Sequence, residues 1–185
     1  MRSAMGVLTG LALILGATLA AAVLPPWVYE ARRVKAAAVF WGQVVRVRQV
    51  DTARYYAVML AELKLIKVFR GSPPPSATAR VRFPSLRPGI NPPPGPTIFH
   101  SLEPGELVLV FAASFDGKTK AAGLVEAGRA TGAAAEAKLA RTVGFYQHMA
   151  QEMTAKTGQA MVDPARARAQ VALYQRIIAY LKAMP

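Results

Sequence analysis

A mainly β chain with a helical appendage is what the sequence predicts: a small five-stranded Greek-key barrel followed by two antiparallel helices. Three observations carry this. Residues 36–128 hold five runs rich in Val and aromatic side chains, separated by Gly, Pro and Asp turn signals. The second run loses its alternation near Ile66–Lys67, as a strand does where a bulge lets a small barrel turn a corner. From Gly132 the composition shifts to Ala, Glu, Lys and Leu, with apolar residues at steps of three and four.

The segments divide into residues 1–24 as a targeting segment, 25–131 as the barrel and 132–185 as the helix pair. Trp27 to Lys35 reads as a short amphiphilic lead-in. The first strand runs from Ala38 to Val50, with Val39, Trp41, Val45 and Val47 on one parity and Phe40, Val44, Arg46 and Arg48 on the other. Trp41, Val45 and Val47 are the expected inward side. The polar stretch "DTAR" (51–54) turns the chain into the second strand, Tyr55 to Phe69.

Gly71 and "PPP" (73–75) end that strand, and "TARVRFP" (78–84) makes a third, with Val81 and Phe83 inward. Residues 84–98 are a Pro/Gly loop that cannot be helix or central strand. A stiff surface connection is the plain reading of it, and a polyproline II ligand for a partner the sharper one. After the turn "EPGE" (103–106), "LVLVFAA" (107–113) is an unbroken apolar run that fits a fully buried central strand. "FDGK" (115–118) has the Asp-Gly signature of a hairpin turn, and "AGLVEAG" (122–128) is the fifth strand.

In the C-terminal part, Leu139, Val143, Tyr146, Met149 and Met153 form one helical stripe that Gly158 would stop. Asp163–Pro164 reads as an N-cap and first helical residue, opening a second stripe of Val171, Tyr174, Ile178 and Leu181. Two helices with a short connection pack antiparallel.

Residues 4–24 carry no charge and follow Arg2, and "ATLAAA" places Ala20 and Ala22 as an A-x-A cleavage site. Export is therefore expected, to the periplasm or the cell surface. The competing reading is an uncleaved inner-membrane anchor, since an apolar run of about 20 residues spans a bilayer. Arg32, Arg33 and Lys35 after the segment would then favour a cytoplasmic C-terminal side.

Five strands, the second slipping in register, then a helix, is the pattern of an OB-type barrel. The stretches "AAAVFWGQVVRV", "LKLIKVFRG" and "LEPGELVLVFAA" resemble the netrin-like module shared by tissue inhibitors of metalloproteinases and their bacterial relatives. The counterparts are Ala38 to Val44, Lys67 to Gly71 and Leu102 to Phe111, and the likeness covers residues 36–145. It implies the barrel. In that family protease inhibition needs an N-terminal cysteine that chelates the catalytic zinc, and this chain has no cysteine at all. Inhibition therefore does not carry over, and the resemblance bears on the fold alone.

The missing cysteines also exclude disulfides, thiolate catalysis and Cys-ligated metals. The two histidines, His100 and His148, fall in different elements, and no H-E-x-x-H, Walker or calcium-loop spacing occurs. His100, Ser101 and Asp116 supply the residue types of a hydrolytic triad without a G-x-S-x-G elbow. No catalytic residue, metal ligand or cofactor site is assigned.

What the sequence does carry is positive charge, +13 formally. Such a balance attracts phospholipid head groups, anionic envelope polymers or nucleic acid, although by itself it argues solubility. Arg46 and Arg48, Lys64, and Arg80 and Arg82 would project from single faces of their strands. Were the first three strands neighbours, these side chains would merge into one anion-attracting patch, with Tyr55 and Tyr56 at its tip. Export disfavours nucleic acid as the partner. The expectation is a non-enzymatic binding or accessory module docking to a protein or anionic component of the envelope. The other readings are a structural subunit of a membrane complex anchored by residues 4–24, and an envelope hydrolase.

Overall fold

Pro26 is the first residue of a helix, α1 (Pro26–Val34), where the missing amide proton costs nothing. The computed structural model describes residues 26–91, 97–128, 133–155 and 163–183. The targeting segment with its Ala22 site, the middle of the Pro/Gly loop and the Gly158 stop lie outside the described residues, as do the Leu139 and Met153 side chains. After α1 come β1 (Ala38–Thr52), β2 (Tyr56–Arg70), β3 (Thr78–Leu86), β4 (Leu107–Ala112), β5 (Asp116–Lys120) and β6 (Gly123–Gly128). Two helices follow, α2 (Ala133–Ala155) and α3 (Pro164–Lys182). The chain is thus mainly β with two C-terminal helices.

The strands form one six-stranded sheet in the order β5-β3-β2-β1-β4-β6. The β3–β5 pair is parallel and the others antiparallel. Five strands were expected; the sheet here has a sixth and is not closed, with β5 and β6 at its edges. The added strand is β5, where the sequence suggests a hairpin turn. "FDGK" does not reverse the chain onto β4. Gly117 takes a left-handed φ of +68°, and β5 runs alongside β3 instead. An added Cβ on Gly117 would lie 2.9 Å from the Arg80 Cβ and 3.0 Å from Leu60 Cδ1, so only glycine lets the strand approach this closely.

Register explains how the sheet bends. Trp41 pairs with Lys67 and Gly42 with Leu65, which leaves Ile66 unpaired as a β2 bulge, at the slip visible in the sequence. A bulge that the alternation does not reveal lies in β1. Val44 pairs with Leu63 and Arg46 with Glu62, so Val45 is squeezed out and is 58% exposed. It therefore does not pack inward with Trp41 and Val47. Beyond the bulge the parity of the strand is inverted, and Trp41 and Val47 belong to opposite faces.

Each face owns a core. One cluster gathers Phe40, Val44, Leu63, Val81, Phe83, Val108 and Val110. Because β3 and β4 both contribute although β2 and β1 separate them, the sheet curls around this cluster. The second cluster joins Val39, Trp41, Leu109 and Phe111 to Val143 and Ala150 of α2 and to Leu173, Tyr174, Ile177 and Leu181 of α3. β4 feeds both, and Val108 to Ala112 are all buried, as its unbroken apolar run predicts. Asp163 caps α3 by accepting from the Ala165 amide at 3.0 Å, with Pro164 at the first turn. The buried stripe of α3 is turned slightly from the expected one: Leu173 and Ile177 are fully buried, while Val171 and Ile178 pack only at the margin.

Candidate functional site

Cross-strand partners share a face of the sheet, so the register decides where the five basic residues stand. Arg46 faces Glu62, which in turn faces Arg80; Arg48 faces Leu60, which faces Arg82. Lys64 pairs with Gln43 and Thr78 two positions from Glu62. With β1, β2 and β3 adjacent, Arg46, Arg48, Lys64, Arg80 and Arg82 all lie on one face. Four of them are exposed, while Arg82 is half-buried.

The Val45 bulge is the reason this face exists. Unbroken alternation from Val39 and Trp41 would carry Val45 and Val47 onto that face and send Arg46 and Arg48 into the core. The extra residue restores the opposite choice, dropping Val47 against the Phe83 cluster and holding both arginines outside. Glu62 stands among the cations, with Oε1 3.6 Å from Arg80 Nε in an exposed pair that contributes little to stability. Tyr55 is exposed beneath the Arg54 guanidinium, 5.2 Å from ring centroid to Cζ. Tyr56 belongs elsewhere: its hydroxyl accepts from Lys120 Nζ at 2.9 Å.

Two of the three residues of the imagined hydrolytic triad, His100 and Asp116, are committed to other partners. His100 Nδ1 lies 2.8 Å from Glu126 Oε1, and its ring packs edge-on against Phe83. Asp116 accepts from the Ser114 hydroxyl at 2.6 Å and the Lys118 amide at 3.0 Å. Those bonds, the serine first, hold the Asp116 carboxyl at about 2, below its ordinary range. Ser101 is exposed in the loop between. His148 is exposed on α2, and among the described residues no group of His, Asp and Glu gathers as a metal would require.

A buried polar network escapes the sequence reading. Glu30, on α1, is fully buried and accepts from Tyr174 Oη at 2.5 Å, Gln170 Nε2 at 3.3 Å and Arg33 Nη1 at 3.2 Å. Arg70 extends the network: Nη2 donates to Gln170 Oε1 and Nη1 to the Ala36 carbonyl, each at 2.9 Å. Burial pushes the Glu30 carboxyl above the ordinary range, while Tyr174, Arg33 and Gln170 pull it the other way. The signals were present as an i, i+3 Glu–Arg pair in the lead-in and a Gln-x-x-x-Tyr on α3. Nothing local says that the two would meet across 144 positions.

No family model, curated protein or solved structure matches this chain. The function must therefore be argued from the molecule's own surfaces.

Proposed function

We propose that this chain is an exported, non-enzymatic binding module that docks to an anionic envelope or membrane-associated partner through the basic face of β1, β2 and β3. The observation that carries the reading is the register that aligns Arg46 with Arg80 and Arg48 with Arg82, with Lys64 beside them. Such a surface attracts an anionic partner over a Debye length and weakens with salt. The fold is read as an OB-type module of netrin-like kind. The β1–β2–β3 meander, the curl around the Phe83 cluster and an open edge support that reading, since OB barrels are themselves only partly closed. The targeting character of residues 4–24 supports export.

The test is sedimentation of the full-length chain with vesicles containing phosphatidylglycerol and with native envelope fractions. Arg46→Gln, Arg48→Gln, Arg80→Gln and Arg82→Gln together should release the chain from both, and raised salt should do the same to the parent. Retention that ignores both the substitutions and the salt would overturn the proposal.

A further inference from the structure

A second site lies beside the Arg82 end of the basic face, where α1 meets the β5–β6 turn. The cavity there is about 220 Å³. Arg32, Arg33 and Lys120 line it on the polar side, and Tyr56, Phe83 and Leu124 supply apolar walls. From these residues we infer that the cavity binds a small organic carboxylate, its charge toward the arginines and its apolar body against the aromatic wall.

Arg33 is the central observation. Its side chain is only 6% exposed, with Nη1 on Glu30 and the guanidinium 3.7 Å above the Tyr146 ring centroid. Its Nε is buried and has no hydrogen-bond partner. Gly123 in the cavity wall makes the arrangement possible, because a Cβ there would lie 2.8 Å from that Nε. Lys120 is oriented as well, its Nζ 2.9 Å from the Tyr56 hydroxyl and 4.8 Å from the ring centroid.

Charge and shape select the ligand class. Glu30 compensates Arg33, and Glu126 sits on His100, which leaves Arg32 and Lys120 to attract an anion. That balance suits an anion. Inorganic phosphate would meet the cations but leave the apolar surface of Tyr56, Phe83 and Leu124 uncovered, whereas an organic carboxylate covers it with its apolar body. Small-molecule sites of this composition favour amphiphilic ligands with one anchored polar end.

The experiment is calorimetric titration of the full-length chain with benzoate and hexanoate, and separately with benzamide and inorganic phosphate. Saturable binding of a carboxylate, with benzamide and phosphate each weaker by about tenfold or more, supports the site. Lys120→Met and Gly123→Ala should each weaken the carboxylate by about tenfold, while Arg46→Gln on the basic face should not change it. Lys120 is exposed, so its variant keeps the fold even where the Gly123 variant does not. Absent carboxylate binding, equal affinity for benzamide, preference for phosphate, or indifference to Lys120→Met each overturn the inference. Carboxylate binding is read by calorimetry without vesicles and docking by sedimentation without carboxylate, so the failure of one is distinguishable from the failure of the other.

Discussion

Tyr174 donates its hydroxyl to Glu30 Oε1 at 2.5 Å and thereby fastens α3 to α1. Burial, with Glu30 beside it, pushes the phenol above its ordinary range, so the hydroxyl remains a donor at any working pH. The ring also packs near Phe111 and Tyr146, at 6.0 and 6.3 Å between centroids. Tyr174→Phe keeps those contacts and removes the donor, leaving a buried carboxylate oxygen less satisfied. The expected loss is about 1–3 kcal/mol in urea denaturation at neutral pH. An unchanged midpoint would show that the bond contributes nothing net.

Glu30 itself links stability to pH. Its folded pKa is raised above 4.5, chiefly by burial, so the folded chain keeps a proton that the unfolded chain has already lost. Stability from this group is complete below 4.5 and declines as pH climbs through the raised value. Glu30→Gln lacks that titration. The stability gap between parent and variant should therefore shift in the variant's favour from pH 4.5 towards neutrality, measured by urea denaturation at each pH. A gap that stays constant, or moves towards the parent, would refute the assignment.

Legibility in the sequence followed the range of the forces involved. The Asp163–Pro164 cap, the buried run of β4 and the Ile66 bulge are local events, written in neighbouring residues. The Val45 bulge was hidden because Val fits either face of a strand, and only pairing with Leu63 and Glu62 decides which residue is extruded. Asp-Gly suits a hairpin by local preference, yet contact with Arg80 and Leu60 recruited it into a parallel pair. The five basic positions were readable from spacing, but their common face required the β1–β2–β3 register. The cavity and the Glu30 network were unreadable, because each assembles from elements far apart in the chain.

Gly117 is the position where β5 is most exposed to substitution. Alanine there would need the left-handed backbone of φ +68° and would place its Cβ 2.9 Å from Arg80 and 3.0 Å from Leu60. The expected cost is about 1–3 kcal/mol, borne by the β3–β5 pair. Hydrogen exchange should localise it: the Arg80 amide, which donates to Phe115 O at 2.7 Å, and the Ala121 amide, which donates to Arg82 O at 2.9 Å, should lose protection. Protection lost uniformly over the sheet would instead indicate global destabilisation.

Arg70 joins three elements with one guanidinium. From the end of β2 it reaches the Ala36 carbonyl at 2.9 Å and the Val34 carbonyl at 3.4 Å, while Nη2 reaches Gln170 on α3. The carbonyls at the end of α1 are acceptors the helix leaves unsatisfied, and a planar fork meets two directions at once. Lysine offers a point charge that satisfies one direction and abandons the other. Arg70→Lys should therefore cost about 1–2 kcal/mol despite conserving charge, with α1 amides losing exchange protection before those of β4. Since α1 also carries Arg32 and Arg33, the same variant should weaken carboxylate binding in the cavity without affecting vesicle docking. Intact exchange protection in α1 would show that the Arg70 fork is not what holds the helix.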